Sequence, residues 1–373
     1  MIKFAVLGAN GFIGTRITEM FALSEGTEVR PIVRDYSSLA RASRFDLDAR
    51  VADAFDQEAL QMAFEGCDVV VHAVAGNVKT ILGTLTPVYR AAQKAGVQRL
   101  VYLSSGSVHA QAPQLGTDER SALSDRQVLP YNNAKVQAEW TLSQLRNQVD
   151  VELVVLRPGI VFGPRSSWII NFADALLAGR ASLLNCGQGI CNSIYVDNLV
   201  HAIYLAATQP AIDQGVFLLG DQECVTWADL YQPIAKVLGY ELTDLPEGVI
   251  SEQDTEQKWS WFERLEPMRV SKPVQKLLSI VPHKFRVAAY RAYETILEPQ
   301  RDSSAISPED GQPVISREMA MLYSCQYKLP HIKATRILGY HPPVSFNEAI
   351  RRTVAWLAFA GYPIKAESIE MSL

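Results

Sequence analysis

Five short runs, Lys3–Leu7, Glu28–Arg34, Val69–Ala73, Leu100–Ser104 and Glu152–Leu156, are rich in Val, Ile, Leu or Tyr and almost continuously apolar. A strand with one wet face alternates polar and apolar side chains, whereas a strand covered on both faces does not. Between the runs lie stretches of helical spacing, Gly11–Leu23, Gln57–Phe64, Gly83–Ala95 and Tyr131–Val149. Strand–helix–strand connections in one sheet are right-handed, so the alternation predicts an α/β fold, a doubly wound parallel sheet of Rossmann type with helices on both faces. Past Pro164 the pattern loosens. Ile194–Val196 and Val216–Gly220 still read as strands, Asn198–Ala207 as a helix with Asp197 at its N-cap, and Pro343–Gly361 as a final helix.

Composition narrows the function classes. Hydrophobic residues make up 48% and charged ones 20% of 373, an ordinary globular balance. With 35 Lys plus Arg against 40 Asp plus Glu, the net charge of −5 disfavours nucleic acid, whose affinity rests on many cation–phosphate contacts. The five cysteines are scattered and form no CxxC pair, which predicts a reducing cytoplasmic setting and no metal site. The apolar run after Met1 meets Gly8 too soon for a signal peptide, and no run is long enough to span a membrane.

The strongest local signal is Gly8-Ala9-Asn10-Gly11-Phe12-Ile13-Gly14, directly after a strand and opening a helix. Glycines there permit a tight turn, close approach of a pyrophosphate and close helix–strand packing, while the helix N-terminus presents unpaired N–H groups to phosphate. The second strand ends Val33-Arg34-Asp35, where a dinucleotide's ribose is read. An acid at that point accepts from a free 2′-hydroxyl and an arginine favours a 2′-phosphate; with the arginine first, NADP(H) is expected, NAD(H) being the alternative. Asp53 is placed to meet the adenine edge, or simply to form a turn. This gives residues 1–165, joined by about 193–220, as the dinucleotide-binding domain. Residues 166–192 and 221–373 then make a smaller, mostly helical substrate-binding part.

Tyr131 and Lys135 are four apart in a helical stretch, so both side chains reach one cleft. A free phenol titrates near 10; an adjacent ammonium stabilises its anion, each unit of depression corresponding to about 1.4 kcal/mol. Such a pair takes a proton from an alcohol or returns one to a carbonyl. Ser105 lies at a strand's carboxyl end, where parallel sheets place their sites, and its hydroxyl is a candidate to hold the reacting oxygen, the competing reading being a turn cap.

These motifs, with Gly66–Ala73, Val101–Ser105, Leu156–Pro164, Tyr195–Leu199 and Lys333–Tyr340, resemble the extended short-chain dehydrogenase/reductases. That superfamily holds sugar-nucleotide epimerases and dehydratases, 3β-hydroxysteroid dehydrogenases and dihydroflavonol reductases. The resemblance implies Tyr131 as acid/base, Lys135 as its partner on the nicotinamide ribose, and Ser105 as the group orienting substrate. It further implies cofactor contacts at Gly8, Asn10, Gly11, Phe12, Ile13, Gly14, Arg34, Asp53, Ala73, Val74, Ala75, Pro158 and Val161. A homodimer through Tyr131–Val149 and Gly83–Ala95 is expected by the same analogy.

Two positions depart from the sugar-nucleotide pattern. Cys191 and Ala320 stand where that branch usually carries diphosphate-binding arginines, although Arg165, Arg180 or Arg317 offer substitutes. The expected activity is therefore hydride transfer between a nicotinamide and a secondary alcohol or ketone of a bulky, fairly apolar molecule. The alternatives are a sugar-nucleotide epimerase or dehydratase with retained cofactor, and a non-catalytic dinucleotide-sensing regulator. The divergent segment at about 245–328 holds Trp259, Trp261 and Phe262, read as core or pocket wall, and Arg301–Pro313, read as an exposed loop. Its basic, apolar stretch at 269–291 fits peripheral contact with an anionic membrane or a packed helical pair. His72 and His201 read as packed rather than catalytic.

Overall fold

The computed structural model describes residues 1–40, 42–148, 150–250 and 313–365. The apolar runs become β1 (Ile2–Leu7), β2 (Thr27–Val33), β4 (Val69–His72), β5 (Arg99–Leu103), β6 (Glu152–Pro158) and β10 (Gly215–Leu219), joined by a short edge strand, β3 (Arg50–Val51). They form one sheet in the order β10-β6-β5-β4-β1-β2-β3, parallel at every pairing. The chain winds outward from β1 to β3, then crosses back to β4. The crevice where an open α/β sheet takes ligands therefore opens between the carboxyl ends of β1 and β4.

Strand alternation divides the core between the two faces. Phe4 and Val6 point to one cluster, with Ile17 and Phe21 of α1 (Phe12–Leu23) and Leu199 and Ile203 of α7 (Val196–Thr208). Ala5 and Leu7 point to the other. There they meet Leu60 of α2 (Gln57–Phe64), Val88 and Tyr89 of α4 (Leu85–Lys94), and Ala138 and Leu142 of α5 (Pro130–Arg146). Two buried arginines of the sheet, Arg30 of β2 and Arg99 of β5, serve as helix caps. Arg30 donates to Ala63 O and Glu65 O at the C-terminus of α2, and Arg99 to Ala206 O, Ala207 O and Gln209 O at the C-terminus of α7.

The helix expected over Gly83–Ala95 is α4, and a separate helix that was not expected, α3 (Val78–Gly83), precedes it with a break at Thr84. Pro87 explains the break, because its ring conflicts with the carbonyl four residues back, at Gly83, and is tolerated only in a first turn. Asp197 is not the N-cap expected. The strand β9 (Ser193–Tyr195) runs directly into α7, Tyr195 takes the cap position, and the Asp197 carboxylate instead grips Arg16 at 2.6 and 2.9 Å and Arg352 at 3.2 Å.

The remaining described elements are β7 (Ile160–Phe162), α6 (Ser167–Leu177), β8 (Ile190–Cys191), β11 (Val225–Thr226), α8 (Trp227–Leu238), β12 (Val249–Ile250), β13 (Val314–Ile315), α9 (Arg317–Tyr323), α10 (Ile332–Leu338) and α11 (Phe346–Phe359). The chain divides into a unit of Met1–Ala181, Asn185–Leu245 and Met321–Leu373 and a smaller one of Ser182–Leu184 and Pro246–Ala320. Trp259, Trp261, Phe262, the stretch 269–291 and the loop at 301–312 lie outside the described residues. Among the described residues no helix is long and apolar enough to cross a membrane.

Candidate active site

The glycine turn sits at the mouth of the crevice. Gly8 has φ +87°, and a Cβ there would stand 2.9 Å from Ala73 O, so the segment Ala73-Val74-Ala75 after β4 runs against the turn. At Gly14 a Cβ would meet Gly8 O at 2.1 Å, which is how closely α1 lies on the end of β1. Gly11 donates to Gly8 O at 3.0 Å and caps α1, whose first turn holds no acid. The amides of Phe12 and Ile13 therefore head the helix, with Asn10 exposed beside them. A cradle that excludes side chains and ends on an acid-free helix terminus fits a dinucleotide pyrophosphate.

Arg34 is exposed at the end of β2, which runs alongside β1 and the glycine turn. Asp35 is committed to its own loop. Its carboxylate accepts from Ser38 N at 3.0 Å and from the Ser37 and Ser38 hydroxyls, and these bonds hold it below the usual carboxylate range. Asp53 forms a local turn, accepting from Phe55 N at 3.0 Å.

Tyr131 and Lys135 lie in the first turns of α5, which starts at Pro130, a residue suited to that position. The Lys135 Nζ is 5.9 Å from the centre of the Tyr131 ring and 4.9 Å from that of Tyr102. It donates to Leu103 O at 2.8 Å and to Tyr102 Oη at 3.3 Å. Burial pushes the Lys135 ammonium down to about 8. Tyr131 is 39% exposed, so one end of the pair is dry and the other opens to the cleft. Ser105 follows β5 and accepts from Ser107 N at 3.1 Å, capping the turn Gly106–His109. The Ser105 hydroxyl also lies 2.9 Å from that of Ser107, and with Ser107 as the donor there the Ser105 proton stays available to a reacting oxygen.

Pro158 ends β6 and is buried, and Val161 on β7 pairs with Ile194. Between them Gly159 passes so close to Asn192 that a Cβ would meet its carbonyl oxygen at 1.9 Å. Asn192 in turn accepts from Leu329 N at 2.7 Å and donates to Tyr327 O at 3.1 Å. The Leu329 side chain packs on Gly106, next to Ser105, so the segment before α10 lies against the turn that Ser105 caps. Nothing in its sequence announced this.

Also missed was a buried network behind the pair. Arg157 donates to both Glu139 oxygens and meets His109 Nε2 at 3.0 Å, and Ser104 donates to Glu139. The signal was present: Glu139 continues the fourfold spacing of Tyr131 and Lys135 along α5. Cys191, where a diphosphate-binding arginine was sought, is buried, and its thiol is pushed well up by that burial. Its neighbours Tyr231 and Tyr323 belong to an aromatic group in which Phe172 stacks on Tyr231 at 3.8 Å and Trp227 meets Tyr323 edge-on. His72 is buried and bonded to Thr84, as expected of a packed histidine, while His201 is half-buried against Tyr340. Among the described residues no cluster of His, Cys, Asp and Glu could hold a metal, and all five cysteines are free.

The family model described as NAD dependent epimerase/dehydratase matches residues 4–220. The chain is 28% identical over 267 residues to a UDP-glucose 4-epimerase of Mycolicibacterium smegmatis, covering 64% of this chain and 83% of that protein. It is 24% identical over 383 residues to a 2-alkyl-3-oxoalkanoate reductase of Shewanella oneidensis, covering 94% of this chain and 85% of that protein. Among solved structures it is similar to a Thermotoga maritima UDP-glucose 4-epimerase with UDP-glucose, at TM-score 0.65 and 19% identity, covering 96% of this chain and 99% of that one.

Proposed function

The chain belongs to the NAD dependent epimerase/dehydratase family, an enzyme of extended short-chain dehydrogenase/reductase type, and from that premise we propose that it is an NADP(H)-dependent oxidoreductase acting on a secondary alcohol or ketone of a bulky, fairly apolar molecule. The observation that carries the reading is the half-exposed Tyr131 backed by the buried ammonium of Lys135 at the carboxyl end of β5. A nicotinamide dinucleotide bound at Gly8–Gly14 supplies or accepts the hydride at the carbinol carbon. Tyr131 takes the hydroxyl proton of an alcohol, or returns it to a carbonyl oxygen, while Lys135 stabilises the phenolate left behind. Ser105 donates to the same oxygen.

One observation supports an apolar substrate over a sugar nucleotide. Cys191 brings no charge to the place of a diphosphate-binding arginine, forgoing a contact worth about 1.5–3 kcal/mol. A 2′-phosphate is favoured because Asp35 spends its carboxylate on Ser37 and Ser38 and leaves the strand end to Arg34. A homodimer through the outer sides of α4 and α5, where Trp140 is exposed, belongs to the same reading and is checked by sedimentation equilibrium.

The test is net oxidation of NADPH, followed at 340 nm, with a panel of 2-alkyl-3-oxo acids and bulky ketones. Turnover on the panel that Tyr131→Phe lowers at least about 100-fold supports the reading. Conversion of UDP-glucose to UDP-galactose without net NADPH loss would establish the epimerase instead, an outcome the 28% identical relative keeps in view.

A further inference from the structure

We propose that Tyr102 is a positioning residue of the acid–base pair, its buried hydroxyl holding the Lys135 ammonium toward the Tyr131 ring. This rests on the reading of Tyr131 and Lys135 given above. Lysine has three N–H donors and four rotatable bonds, so a lysine alone does not fix where its charge lies. Here two donors are spoken for, by Leu103 O at 2.8 Å and Tyr102 Oη at 3.3 Å, and both acceptors come from β5 rather than from the helix that carries the lysine. The ammonium is thus pinned between sheet and helix.

Both acceptors are also neutral. A carboxylate at residue 102 would cancel the charge that Tyr131 needs, whereas a phenylalanine would leave a buried N–H without its partner and disfavour the charged form. Two phenols face one ammonium, yet they differ in exposure, 1% for Tyr102 against 39% for Tyr131. Burial raises the Tyr102 phenol far above its ordinary value, so it remains a protonated dipole and leaves the negative charge to Tyr131. The other titratable groups around Lys135 do not replace it. His72 from β4 stands edge-on to Tyr102 at 5.3 Å and is kept neutral by burial; Glu139, one turn along α5, favours the ammonium through space, but its hydrogen bonds go to Arg157 and Ser104 and do not hold Lys135.

The test is NMR on the full chain carrying lysine labelled at Cε and Nζ and tyrosine labelled at Cζ. Lys135→Arg and Tyr131→Phe identify the two signals. In Tyr102→Phe the Lys135 midpoint should fall by about one pH unit and the Tyr131 midpoint should rise, with thermal melting little changed. With an accepted ketone the pH limb of kcat should move with them while KM stays put. A folded Tyr102→Phe protein in which neither midpoint moves overturns the proposal. If Tyr102→Phe fails to fold, Lys135→Met decides: the Tyr102 Cζ signal must shift when the ammonium is removed, and an unmoved signal rejects the contact. Loss of turnover in Tyr131→Phe with unmoved midpoints removes only the role of Tyr102; full turnover in Tyr131→Phe removes the underlying reading too.

Discussion

Single residues carry both the chemistry and the strain of this site. Ala110, just past the turn that Ser105 caps, adopts φ 72° and ψ 170°, a region that essentially only glycine enters without cost. Replacing it by glycine should relieve the clash at a smaller cost in chain entropy, raising the urea midpoint at unchanged slope by an equivalent of about 1 kcal/mol. An unchanged midpoint would show that the backbone relaxes elsewhere. At the cofactor end, Arg34→Ala should raise KM for NADPH about tenfold or more and leave KM for NADH nearly unaltered, since only the 2′-phosphate offers a charge-assisted contact. Equal losses with both cofactors would assign Arg34 a general role in folding or binding. Tyr131, Lys135 and Ser105 were legible as residues because spacing and strand-end position expose them. Tyr102 and Arg157 were not, because a residue inside an apolar strand gives no local sign of what lies across the sheet.

Among elements, α1 is the most demanding. It lies on the end of β1 so closely that a methyl at residue 14 would stand 2.1 Å from Gly8 O, and backbone on both sides leaves nothing soft to yield. Gly14→Ala should therefore shift α1 and weaken NADPH binding more than tenfold by fluorescence titration. Gly26→Ala, where a Cβ meets nothing within 4 Å but φ is +78°, should cost stability alone. Retained cofactor affinity in Gly14→Ala would mean that the turn does not cradle the pyrophosphate. Most element boundaries were readable from periodicity and caps. The break at Gly83–Thr84 was readable too, from Pro87, had its ring been weighed against the carbonyl four residues earlier. The edge strand β3, two residues long, was below any pattern.

For the molecule as a whole, buried histidines set the response to acid. Burial holds His72 at about 3 and His109 at about 4, and lowers His201 and His331 as well. In the unfolded chain each titrates near 6.5, so between about pH 6.5 and 4 the unfolded state binds more protons and each step toward acid favours unfolding. Asp221 opposes this. Buried and raised to about 7, it is protonated in the folded state over the same interval, and acid favours folding there. His72 and His109 together outweigh one carboxyl, and urea midpoints should fall as pH drops from 6.5 to 4. A flat profile would mean that the histidines open to water without global unfolding. Order along the chain settled the sheet and its crevice, because helical and strand periods are local properties and right-handed crossovers leave few ways to join them. The glycine cradle and the Tyr–Lys pair were determined equally early, since each depends on residues within one turn or one loop. Tertiary structure alone decided that Lys135 meets Tyr102, that Glu139 holds Arg157, that Leu329 packs on Gly106 and that Asp197 serves Arg16 and Arg352 rather than a helix cap. Those contacts join residues 18 to 181 positions apart wherever the hydrogen-bond distances record them, and separation on that scale is invisible to any pattern read along the chain.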